Sequence, residues 1–124
     1  MLFDYILTGV HSCLRVVGLE NEGSYRAYRL QQIEDSHLIN DDISGKKIVL
    51  ISLHPFMARA FDRTLDGQVL DFRYESGKVV DTQTSSTWNF EGEMKGKQLT
   101  RLPFDEGFWF EWVVFHPDTS LYNQ

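Results

Sequence analysis

The chain has 124 residues, of which 12 are basic and 18 acidic, giving a formal net charge of −6. That length suits a single domain spanning 1–124, able to bury roughly two thirds of its unfolded surface. The acidic balance, with no basic run, excludes a phosphate-tracking surface, so no nucleic-acid partner is expected, and it equally disfavours anionic membranes.

Residues 1–10 lack a basic start, carry Asp4, and are too short in apolar content for a signal peptide. No apolar run approaches the roughly 20 residues that span a bilayer, so no membrane insertion by this chain is expected. The default expectation is a cytoplasmic location. Cys13 is the single cysteine, so neither an intrachain disulfide nor a thiolate zinc cluster can form.

Turn chemistry then recurs at short intervals. Asn21-Glu22-Gly23 separates residues 14–19 from 25–30, both rich in types that suit strands. Residues 30–36 predict one or two helical turns before Asn40-Asp41. After Ser44-Gly45, residues 47–53 form a continuous apolar run, the pattern of a central strand buried on both faces. Asp66-Gly67 predicts a two-residue hairpin pairing 60–65 with 68–74, where Leu70, Phe72 and Tyr74 alternate with Asp71 and Arg73. A C-terminal helix is predicted from an N-cap at Asp105 to a stop before Pro117, with Phe108, Trp112 and Phe115 sharing its inner face. Trp88 and Trp112 are expected in the core, holding that helix against the sheet. The fold class is mainly β, formally α+β, with antiparallel hairpins and a short aromatic C-terminal helix.

An ordered series of residues carries a family resemblance. It runs through Val16-Val17-Gly18-Leu19, Arg26-Ala27-Tyr28, Asn40-Asp41, Gly45, Phe61-Asp62-Arg63 and Asp66-Gly67. It continues with Asp81, Thr84, Ser86, Trp88, Gly92, Gly96, Leu99, Trp109, Trp112 and His116-Pro117-Asp118-Thr119. Over about 16–121 the chain resembles domain-of-unknown-function family 3179, whose members look like small β-rich domains, often in exported or membrane-attached bacterial and archaeal proteins. After the central strand that family typically carries Cys-Pro-Leu-Cys, a pair suited to redox or metal chemistry. Here His54-Pro55-Phe56-Met57 stands instead, so thiol exchange is lost.

His54 and Met57 are both soft-metal ligand types, which points to copper or a similar ion if a third ligand converges from His37, His116 or Cys13. The alternative is a packing role for the segment and no cofactor, and this is the favoured expectation. Asp81, Thr84 and Ser86 form a polar cluster that reads either as a ligand site or as a set of turn formers and caps. Trp109 and His116 join them as candidate ligand-binding residues because the aromatic run 104–115 is too dense for every ring to face inward. Trp109 or Phe110 is expected to line a cleft or a surface for a protein partner or a second copy. A Ser86–His116–Asp118 triad can be written, yet the sequence has no nucleophile elbow and no oxyanion glycine pattern, so no catalytic residue is assigned. Two functions follow: a non-catalytic binding or accessory domain, or a metal-dependent or redox protein using His54 and Met57.

Overall fold

The structure, a computed structural model, describes residues 14–54 and 57–122, without the side chains of Leu53 and His54. Strand β1 (Arg15–Asn21) turns back into β2 (Ser24–Arg29), which leads directly into helix α1 (Leu30–Ser36). Then come β3 (Leu38–Ile43), β4 (Lys46–His54) and β5 (Met57–Asp62), a short ribbon of β6 (Thr64–Leu65) and β7 (Gln68–Val69), then β8 (Phe72–Glu75) and β9 (Lys78–Asp81). The last third holds β10 (Thr87–Trp88), a second ribbon of β11 (Glu93–Met94) and β12 (Lys97–Gln98), then β13 (Arg101–Leu102) and β14 (Asp105–Phe108). Helix α2 (Trp109–Phe115) and β15 (Ser120–Leu121) close the chain.

The hairpins arise from one repeated device. Glu22-Gly23, Ser44-Gly45, Asp66-Gly67, Ser76-Gly77 and Lys95-Gly96 each join two antiparallel strands with positive φ at both central residues. That is the turn whose twist matches the strands it connects. At Asp66-Gly67 the angles are 52° and 79°. The predicted hairpin there is real but short. Only Thr64–Leu65 and Gln68–Val69 pair across it, because Phe61 and Ala60 are taken by β13 and the chain from Phe72 onward by β9.

Two four-stranded sheets dominate, with strand orders β14-β1-β2-β15 and β13-β5-β4-β3; a third, β10-β9-β8, is smaller. All pairings are antiparallel except β15 with β2. The period-two alternation of strands sorts the apolar side chains into separate layers. Ile48 and Leu50 of β4 join Val17, Leu19, Tyr28, Ile33 and Ala60 between the two large sheets. Val49 and Ile51 point the other way, to Phe61, Phe72, Val79, Trp88 and Leu99. Strand β4 is thus buried on both faces, as its unbroken apolar run predicts. On the far side of the first sheet, Val16 and Ala27 meet Trp109, Trp112, Val113 and Leu121.

Two expectations about the C-terminal region change. Asp105 does not cap a helix: residues 105–108 are a strand paired with β1, and α2 begins at Trp109 without a side-chain cap. The inner face of α2 is Trp109, Trp112 and Val113, while Phe108 and Phe115 are exposed. Trp88 and Trp112 are both buried, at 2% and 7% exposure, but in different layers; Trp88 packs edge-on against Phe72, away from the cluster beneath α2. Gly18 explains how α2 sits so close. A Cβ there would fall inside the Trp112 ring, so only glycine lets the indole lie on β1.

Candidate functional site

The polar cluster Asp81, Thr84 and Ser86 lies where β9 turns toward β10. Asp81 is fully buried, and its carboxylate accepts hydrogen bonds from the Thr84 amide at 2.6 Å, the Thr84 hydroxyl at 2.7 Å and the Trp88 indole Nε1 at 2.8 Å. Thr84 Oγ1 is also 2.8 Å from Ser86 Oγ; with its one proton given to Asp81, it accepts from the serine. Backbone bonds from Asp81 N–H to the Ser86 carbonyl and from Ser85 N–H to the Asp81 carbonyl close the turn. Burial alone pushes the Asp81 carboxyl up. The bonds from Trp88, Thr84 and the backbone outweigh it and hold the group below the usual carboxylate range. These atoms satisfy one another and anchor a core tryptophan.

A second network ties the large sheets together. Asp41 shares a face of β3 with Ile39 and Ile43, and its Oδ2 accepts from Arg26 Nη1 and Tyr28 Oη, both at 2.7 Å. Burial, then the bond to Asp41, pushes the Tyr28 phenol far up. Arg26 Nε reaches Ser120 Oγ at 3.0 Å, which fastens β15. On the opposite face of β3, Asn40 exchanges two bonds with the backbone of Phe72. The buried Arg63 donates to the carbonyls of Ile48, Leu70 and Asp41 and to Asp71. Five resemblance-bearing positions, Arg26, Tyr28, Asn40, Asp41 and Arg63, therefore serve the framework.

The surface cleft lies elsewhere, around the end of α2. His116 stacks on Tyr25 with ring centroids 4.0 Å apart and lies 4.2 Å from Trp112, whose indole Nε1 donates to Thr119 Oγ1 at 2.7 Å. This stack divides two hollows. One, of about 340 Å³, is walled by Glu106, Phe108, Glu111 and Phe115; the other, of about 320 Å³, by Gly18, Glu20, Tyr25 and Phe104; Asp105, Trp112 and His116 border both. Of the sequence candidates, His116 lines this cleft, Trp109 is buried beneath α2, and Asp81, Thr84 and Ser86 are bonded within their own turn. Ser86 and His116 belong to these two separate constellations, so no triad is assembled.

The chain matches the family described as Protein of unknown function (DUF3179) over residues 3–119. It belongs to that family. Neither a curated protein nor a solved structure matches it. In this DUF3179 chain, His54 and Met57 are register partners across the β4–β5 hairpin, just past an irregularity in the ladder, and Met57 is 42% exposed. The His54 side chain, with Pro55, Phe56 and Cys13, lies outside the described residues. Among the described residues, no three His, Cys, Asp or Glu side chains converge as for a metal. Of the other candidate ligands, His37 stacks on Tyr74 and His116 on Tyr25.

Sequence reasoning anticipated an outward ring at Phe110, which is exposed, but missed the acidic rim of Asp105, Glu106 and Glu111 and the exposure of Phe108 and Phe115 beside it. The signal was present. Helix α2 reads Trp-Phe-Glu-Trp-Val-Val-Phe, apolar all round except Glu111, and a surface helix of that kind has more than one apolar side to cover. No helix among the described residues is long and apolar enough to cross a membrane.

Proposed function

We propose that this DUF3179 chain is a non-catalytic binding domain that engages a protein partner through the face formed by β14 and α2. The observation that carries this reading is the placement of large apolar side chains in the open. Phe108 is 44% exposed, Phe110 51%, Val114 57% and Phe115 77%, beside a cleft floored by Trp112 and His116. At about 100° per residue, Phe108 and Phe115 lie on one flank of α2 and Phe110 and Val114 on the other. Contiguous exposed apolar surface rimmed by polar groups is the usual mark of an interaction site.

A random-sequence peptide array read with the full chain tests this. The reading expects a set of retained peptides that the Phe108→Ser/Phe115→Ser double variant loses. Val69→Ser, on the exposed β6–β7 ribbon, should keep them. Identical array patterns for all three proteins would remove the α2 face from consideration.

A second reading rests on the pairing of His54 with Met57 in the β4–β5 register, which brings two soft-metal ligand types to one hairpin tip. Copper(I) or a similar ion is the expected guest, with binding that weakens as the imidazole takes up a proton. Titration with copper(I) and zinc(II), wild type against His54→Ala, decides it; equal and weak binding by both proteins ends the metal reading.

A further inference from the structure

Strand β14 ends its sheet on one side: in the order β14-β1-β2-β15 it has β1 as its partner and no second neighbour among the described strands. The phase of its ladder shows which backbone groups are left over. Trp109 N–H donates to the Leu14 carbonyl at 2.7 Å, and bonded pairs alternate in an antiparallel ladder. Gly107 opposite Val16, and Asp105 opposite Gly18, therefore turn their backbone groups toward β1. Glu106 and Phe108 turn theirs to the open edge.

That edge is flanked by the 340 Å³ hollow and by the exposed rings of Phe108 and Phe115. Its charge is mostly negative. Asp105, Glu106 and Glu111 all border the hollow, and among the described residues the cation paired there, Arg15, is half-exposed and 3.7 Å from Glu106. A second copy pairing antiparallel about Glu106 would set Glu106 against its own equivalent, and like charges directly opposite are destabilising. A strand bearing Lys or Arg meets the opposite situation: its cations face carboxylates and aromatic ring faces, which attract them.

We propose that the occupant of this face is an extended, basic segment of a partner protein that adds as a further strand to the free edge of β14. Its backbone bonds to the outward amide and carbonyl groups of Glu106 and Phe108. Its alternate side chains divide between the two faces of the strand. Those on the α2 side meet Asp105, Glu111, Trp112 and Phe115, and those on the other side meet Glu106 and Phe108, so that Lys or Arg on either side faces a carboxylate. This is strand addition, in which main-chain bonds supply affinity and alternate side chains supply selectivity. The inference rests on the α2 face being the binding surface and adds the chemistry and conformation of what binds.

The test titrates isotope-labelled full chain with two blocked heptapeptides, one alternating lysine with valine and one alternating glutamate with valine, followed by amide and indole resonances. The lysine peptide should shift residues 105–108 and the Trp112 indole, bind more weakly as salt rises, and outbind the glutamate peptide by about tenfold or more. Glu106→Pro removes the outward amide without touching the bonds to β1, a change edge strands accept. It should lower affinity about tenfold, whereas Glu106→Gln, which keeps the amide and removes the charge, should lower it only about threefold. Equal binding of both peptides, or unchanged affinity in Glu106→Pro with a native melting curve, overturns the strand-addition proposal. So do through-space contacts from residues 1–13 of the free chain to Phe108 and Phe115, or a concentration-dependent dimer shifting the same resonances. If the array peptides still depend on Phe108 and Phe115 while the lysine peptide leaves β14 untouched, the binding-domain reading survives and this inference falls. If neither responds, both fall.

Discussion

At the turn between β9 and β10, the buried Asp81 carboxylate takes bonds from Thr84 and from the buried Trp88 indole, and Thr84, at the surface, bonds in turn to the half-buried Ser86. At the β14–α2 face, Phe108 and Phe115 stand in the open at an acidic hollow, with Phe110 and Val114 exposed on the other flank of α2. The residues with the most chemical character are used up as internal fastenings. The residues that look like core filling are the ones available to a partner. A polar side chain marks a site only when its bonding capacity remains unspent, and an aromatic one marks core only when the element carrying it has a single apolar face.

The comparison can be broken first at the Asp81 turn. Trp88→Ala should cost about 3–5 kcal/mol, the range for deleting a buried tryptophan, measured by denaturant unfolding. Asp81→Ala strands the buried Trp88 indole N–H, so about 1–3 kcal/mol is expected for that donor left without a partner, while the Thr84 amide and hydroxyl lie at the surface and turn to water. A loss below about 0.5 kcal/mol for both variants would mean that the turn is not a fastening.

Gly18→Ala comes next. The added methyl meets the face of the Trp112 ring, which β1 and α2 hold from both sides, so about 1–3 kcal/mol of overpacking is expected. The same variant should disturb the cleft, because Trp112 forms its floor; unchanged Trp112 indole resonances would contradict the close contact of the ring with β1.

A smaller effect lies in acid. Asp81 sits below its ordinary pKa in the folded chain, so its ionised form stabilises the fold above the unfolded value of about 3.9. That contribution is lost as pH falls through the lower folded value. The stability gap between wild type and Asp81→Asn should therefore be constant from pH 7 to about 5 and narrow below about 4. A gap independent of pH down to 2 would contradict the origin assigned to it.

The smallest effect is expected at the other region. Phe110→Ser and Phe115→Ser should change stability by no more than about 0.5 kcal/mol, as for surface substitutions away from packed features. A loss comparable to Trp88→Ala would make these rings core in solution and dissolve the contrast.

Much of the framework was legible because its signals are local. The Asn21-Glu22-Gly23, Ser44-Gly45 and Asp66-Gly67 turns need only neighbouring residues to form, and the run 47–53 announces a strand with two buried faces. Ser76-Gly77 turns in the same way and on the same local grounds. The extent of pairing around Asp66-Gly67 was not legible, since β13 and β9 compete for its arms from far along the chain. Asp105 after Pro103 carries the local marks of a helix start. Its pairing with Gly18 is a long-range fact that overrides them. The inner face of α2 was misassigned because Phe108, Trp112 and Phe115 fit helical spacing no better than Trp109, Trp112 and Val113, and the helix is apolar on nearly every side. Asp81, Thr84 and Ser86 could be recognised as a group, but only the position of Trp88 Nε1 reveals what they bind.

The most direct test measures stability and binding on the same two proteins. The Phe108→Ser/Phe115→Ser double variant should melt as wild type does and lose array or lysine-peptide binding by about tenfold or more. Asp81→Asn should melt lower, and its folded fraction should bind with wild-type affinity. The reverse result, with binding lost in folded Asp81→Asn and retained in the double phenylalanine variant, would contradict the account and move the site to the β9–β10 turn.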